Sequence, residues 1–164
     1  MAALTAGNPK LVKSDLPMAR EEYLVLNGQS WKAGQFLFLD ANGMVKPCAS
    51  DAASGTGGIK YYALADQADP ANATTRIDVG VITADMIFEG NELDNAVTEA
   101  MRDVPYGISV VSNIVTVDTG DTGNDAVMIV DPVTNKIPVK YSSADTLAKV
   151  YFKVLPEAIN AANV

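Results

Sequence analysis

The sequence predicts a mainly β protein: a compact, barrel-like domain of short antiparallel strands with one amphipathic helix and an extended N-terminal arm. Three observations carry that expectation. Short apolar runs recur along the chain between clusters of Gly, Asn, Asp and Pro, the punctuation of strands and turns. A single stretch, 92–102, has the apolar stripe of a helix. A hydrophobic content of 48% beside 20% charged residues and 12 glycines suits a packed β-rich domain better than a disordered chain.

The clearest element is WKAGQFLFLDANGMVKP, Trp31 to Pro47. Phe36, Leu37, Phe38 and Leu39 form an uninterrupted apolar run, which predicts a strand buried on both faces or at a sheet corner. Asp40, Ala41, Asn42 and Gly43 supply a turn, since Asn and Gly accept the positive φ that reverses a chain between twisted strands. Met44 to Lys46 return as the partner strand. Pro47 has no N–H to give to a ladder, so the return strand ends there or lies at a sheet edge.

Around this hairpin the chain divides at about residue 20. Residues 1–20 contain two prolines and no sustained periodicity, yet they hold Leu11, Val12, Leu16 and Met18. That is too much apolar surface for an inert linker, and it predicts an arm that orders against a partner. A single β-rich domain is expected from 21 to 164. Tyr23 to Leu26 is its first strand, followed by Ile59 to Ala65, by Arg76 to Thr83 with Ile77, Val79 and Val81 on one face, and by Met86 to Gly90. The small-residue loop from Ala49 to Gly58 lacks the lysine and the helix of a phosphate-cradling loop.

The helix is expected over Glu92–Arg102, where Leu93, Ala96, Val97, Ala100 and Met101 repeat at helical spacing, with Asn91 as cap, Asp94 completing the cap pattern and Pro105 as the stop. Further strands are read at Ile108 to Val111, Ile114 to Asp118, Ala126 to Val130, Ile137 to Tyr141 and Val150 to Val154, and one helical turn from Pro156. A second hairpin, MIVDPVTNKIPVK, matches the first in pattern.

Charge is unevenly placed. Residues 1–20 carry Lys10, Lys13 and Arg20 against Asp15, a net of +2 within a chain whose net charge is −8. From Asp85 to Asp131 there are ten acidic residues and one base, Arg102, a surface that repels phosphate, so no nucleic-acid partner is expected. No stretch reaches the roughly 20 apolar residues of a membrane helix, so no membrane partner is expected and the chain reads as soluble and made in the cytosol. The lone Cys48 forms no intrachain disulfide and reads as a small, half-buried side chain, because the chain has no histidine to activate it.

The absence of histidine also removes the commonest general base and metal ligand, and no catalytic, cofactor or metal site is expected. One loop nonetheless carries two patterns of acidic residues. Ile114–Gly120, ending in Asp118-Thr119-Gly120, resembles the active-site loop of retropepsin-like aspartic proteases, in which two aspartates share a proton. A second Asp-Thr-Gly at 121–123 and the lack of the apolar-apolar-Gly element that braces such loops argue for a polar hairpin loop instead. Asp118, Asp121, Asn124 and Asp125 offer hard oxygen ligands for calcium, but their spacing is not that of an EF-hand, and a solvated acidic turn is the preferred reading.

With the arm, the Trp31–Pro47 hairpin and the Arg76–Thr83 strand in view, roughly residues 1–90 resemble the decoration proteins, also called cement or head-stabilising proteins, of tailed-bacteriophage capsids. The resemblance implies a β-tulip fold and a homotrimer on the outer capsid surface of a virion, made in the bacterial host cytoplasm, without enzymatic activity. It implies the major capsid protein as partner, gripped through Lys10, Leu11, Val12, Lys13, Leu16, Met18 and Arg20. The segment 92–131 lies beyond the resemblance. Trp31, the only tryptophan, at the entry of the buried strand, is expected to close the core or to make a subunit contact. A surface- or glycan-binding β module of a phage fibre or spike is the alternative reading.

Overall fold

A computed structural model of the chain describes residues 7–50, 57–68, 72, 74–93, 97–130 and 149–164. Eleven strands are present among them: β1 (Lys10–Lys13), β2 (Arg20–Leu24), β3 (Phe36–Leu39), β4 (Val45–Pro47), β5 (Tyr61–Ala63), β6 (Arg76–Val81), β7 (Ile87–Asn91), β8 (Pro105–Val111), β9 (Ile114–Asp118), β10 (Val127–Ile129) and β11 (Lys149–Val154). A short helix, α1 (Pro156–Ile159), follows β11, with Pro156 in its first turn, the position where a missing N–H costs nothing. The mainly β class expected from the turn-punctuated runs is therefore what the chain adopts.

The strands form two antiparallel sheets, in the orders β1-β7-β11-β10-β8-β9 and β2-β6-β5-β3-β4. Both sheets curl. Val25, just after β2, bridges Val45 of β4, and the Leu26 N–H donates to the Val45 carbonyl (2.9 Å), so the two edges of the five-stranded sheet touch. In the six-stranded sheet Glu92, just after the inner strand β7, bridges Val117 of the edge strand β9. Each contact is a single bridge, so the compact, barrel-like β domain expected from the sequence is built of two strongly curled, packed sheets.

β3 decides how the sheets pack. All four of its residues are buried, and strand alternation turns Phe36 and Phe38 toward one core and Leu37 and Leu39 toward another. The first core lies between the sheets, where Phe36 meets Phe88 edge-on at 5.2 Å and Phe152 at 6.1 Å. The second lies within the curl of the five-stranded sheet and holds Val25, Trp31, Val45, Tyr61 and Val79. Ile77, Val79 and Val81, the period-2 face expected from β6, all pack there.

The β3–β4 hairpin forms as expected. Asp40 Oδ1 accepts the N–H groups of Asn42 (3.0 Å) and Met44 (2.8 Å), and Gly43 takes the positive φ of +78° that closes the turn. β4, which ends on Pro47, is the last strand of its sheet, where a residue without an N–H breaks no ladder. The second expected hairpin and the strand at 137–141 lie outside the described residues.

The helix expected over 92–102 is not formed by the described residues, among which 94–96 are missing. Its first residue, Glu92, is extended and fully buried, and its carboxylate accepts the Thr119 hydroxyl at 2.7 Å. Asn91 ends β7 instead of capping a helix, and its Oδ1 accepts the Gly7 N–H (3.0 Å). Only Glu99–Met101 turns, as 3₁₀. Val97 is buried while Ala100 is exposed, so the described positions of the stripe do not share one buried helix face, and the tertiary contact at Glu92 overrides a local helical pattern.

Truncating Phe38 to Ala removes a fully buried ring from the inter-sheet core and should cost about 3–5 kcal/mol in urea unfolding. Gly43→Ala meets no neighbour and should cost about 1–2 kcal/mol through the positive φ alone.

Candidate interaction surface

The residues singled out in the N-terminal segment lie against both sheets. β1 pairs antiparallel with β7, Lys10 opposite Glu89 and Lys13 opposite Ile87, with a bulge at Val12. Before it, Asn8 Oδ1 accepts the Val115 N–H (2.9 Å), Asn8 Nδ2 donates to the Asn113 carbonyl (2.9 Å), and the Tyr62 hydroxyl donates to the Pro9 carbonyl (2.6 Å). After it, the Val81 N–H donates to the Ala19 carbonyl (2.8 Å). A segment expected to wait for a partner is thus held by hydrogen bonds to the body over residues 7–20, and the amides of β1 should be protected from hydrogen exchange in the free protein.

Its side chains divide into three groups. Leu11 and Met18 face inward and pack on the inter-sheet core. Met18 fits because β6 has a glycine at position 80: a Cβ there would stand 2.1 Å from Met18 Sδ. Arg20 belongs to β2, opposite Gly80, on the five-stranded sheet, away from the ladder that holds Lys10 and Lys13. Val12 and Leu16 point outward, 46% and 75% exposed.

Leu16 is at the apex of the link between β1 and β2, beside a cavity of about 390 Å³ lined by Asp15, Pro17, Ala19, Val81 and Met86. Asp85 sits on its rim and fastens the link: its carboxylate accepts the Thr83 hydroxyl and the Asp15 N–H (2.9 Å). These two donors, the Thr83 hydroxyl first, hold the Asp85 carboxyl below its ordinary range. The link therefore presents a large apolar side chain to solvent on a backbone that is tied down.

Trp31 closes a core. It is 1% exposed inside the five-stranded sheet, where its backbone pairs with Gln67, and its indole Nε1–H has no hydrogen-bond partner. Such burial leaves it no surface for a subunit contact. Cys48 is buried, its thiol donates to the Gly58 carbonyl (3.0 Å), and desolvation raises its pKa, all against a reactive role.

The doubled Asp-Thr-Gly loop follows β9. Asp118 Oδ1 accepts the Gly120 N–H (2.9 Å), while Asp121 Oδ1 accepts those of Gly123 (3.0 Å) and Asn124 (3.1 Å). Each carboxylate caps its own turn, and Asn124 Nδ2 also donates to Asp121. No group of three or more acidic or cysteine side chains fit to hold a metal occurs among the described residues.

No protein-family model matches the chain, and no curated protein matches it.

Trp31→Ala should lower stability by about 3–5 kcal/mol while leaving the particle mass in solution unchanged, whereas Trp31→Phe, which removes the unpaired donor and leaves a smaller cavity, should cost less. A difference in mass by light scattering would place Trp31 at an interface after all. Because the Asp85 pKa is depressed on folding, its contribution is present above the unfolded value of about 4 and is lost as pH falls through the lower folded value. Asp85→Asn should accordingly flatten the acid limb of the melting-temperature profile.

Proposed function

We propose that the protein is a structural virion component, a decoration protein that binds the outer surface of a bacteriophage capsid and stabilises the shell without catalysing a reaction. The observation that carries this reading is Leu16. An aliphatic side chain left 75% exposed on a link fastened by hydrogen bonds at Asp85 and Ala19 offers apolar area to a partner at little ordering cost. A mobile arm would forfeit part of its binding energy to ordering; this link has little left to order.

Other features agree. A chain without histidine, whose doubled aspartates are engaged in their own turns, is poorly equipped for hydrolysis. A net charge of −8 keeps the body away from packaged nucleic acid. Docking of three copies as a trimer would turn a modest contact per copy into strong attachment, because the second and third contacts are effectively intramolecular.

The test is binding of the purified protein to expanded, empty capsid shells. Leu16→Asp should weaken binding at least about tenfold with no change in melting temperature, since the residue touches little of its own fold. Shells carrying the protein should withstand higher temperature than bare ones. Failure of the intact protein to bind any shell would overturn the reading, and retention of a glycan on an array would favour the fibre or spike module.

A further inference from the structure

The ladders gather lysines that lie far apart in the sequence. In β11, Val150, Phe152 and Val154 enter the inter-sheet core, so Lys149, Tyr151 and Lys153 occupy the opposite face. Tyr151 stands opposite Glu89 of β7, and Glu89 stands opposite Lys10 of β1. Lys13 stands opposite Ile87, one step along from the Phe88–Phe152 pair and so in the row of Lys153. With strands about 4.8 Å apart and alternate residues about 7 Å apart, four ammonium groups bracket one tyrosine on a single sheet face.

Among the described residues two carboxylates lie with them: Glu89, 3.3 Å from Lys149 Nζ, and Asp85, within electrostatic reach of Lys153. Four bases against these two acids make the described part of this face positive on a chain of net charge −8. Lys10, Lys13 and Lys149 are exposed, and Lys153 and Tyr151 are half-buried.

We propose that the outer face of β1, β7 and β11 is a docking surface for an acidic polypeptide segment of a partner protein. The inference does not depend on the capsid reading. Charge complementarity supplies the argument: carboxylates spaced along a polypeptide match ammonium groups set a few ångströms apart. A nucleic acid would bring one phosphate after another past the negative remainder of the body, which a short acidic segment avoids. A second copy pairing along β1 is opposed by the bulge at Val12 and by lysines near both ends of that short strand, which would meet in antiparallel register.

The full chain can be titrated against a fluorescein-labelled peptide of alternating Glu and Ser, with anisotropy as the readout. Saturable binding is expected at about 0.1 M salt and its loss at about 1 M, where the screening length falls from about 10 Å to 3 Å. Lys10→Glu with Lys153→Glu should weaken binding about tenfold or more, while Arg20→Glu with Lys32→Glu, an equal change in net charge, should weaken it less than about twofold. Circular dichroism confirms that both pairs of substitutions fold. Equal losses in the two variants, absence of peptide binding, tighter binding of single-stranded DNA than of peptide, or self-association abolished by the Lys10 and Lys153 reversal would each overturn the proposal.

Discussion

β3 is shared between two cores, and the packing of the molecule depends on that sharing. Four consecutive residues without a polar side chain are buried completely, two against the aromatic cluster of Phe88 and Phe152 and two inside the curl of their own sheet. Each such burial is worth about 1.5–3 kcal/mol, so the four together are comparable with the whole stability of a typical domain. The hairpin that returns from β3 must therefore be tight and local, which the Asp40 cap and Gly43 provide. Beyond the single bridge from Val25 to Val45, the returning strand ends on Pro47, which has no N–H to offer a further strand.

The N-terminal segment imposes the second constraint. Between residues 7 and 24 the chain passes from the edge of one sheet to the edge of the other, through β1 and then β2. Asn8 fastens its start to β9 and to the Ser112-Asn113 turn, while Met18 fills the space left by Gly80 on β6. What composition alone suggests is an appendage is a covalent and hydrogen-bonded strap across both layers. Its exposed part comprises Val12, the two lysines of β1, the Leu16 link and Arg20 to Glu22 of β2.

This arrangement separates two kinds of surface. Leu16 offers apolar area on a fastened backbone, suited to a contact whose strength comes from excluding water. The lysines of β1 and β11 offer charge, which steers encounters and selects partners more than it adds affinity. Both sit on the β1 side of the molecule, and both exist because β1 is a strand of the body.

Much of the fold was legible in the residues. β9 begins and ends where its apolar run does, the Asp40–Gly43 turn follows from Asn and Gly, β6 alternates as its pattern requires, and the turn at Pro156 begins on the proline. These are local effects, set by side-chain period and by the φ that glycine and proline allow. Residues 92–102 misled because Leu93, Val97 and Met101 fit a helix locally, whereas the burial of Glu92 against Thr119 is a contact with a distant strand. The lysine face was hidden for the same reason. The alternation in KVYFKV sets Lys149 and Lys153 on one side of β11, but their meeting with Lys10 and Lys13 depends on β7 lying between the two strands, and strand order is a property of the tertiary structure alone.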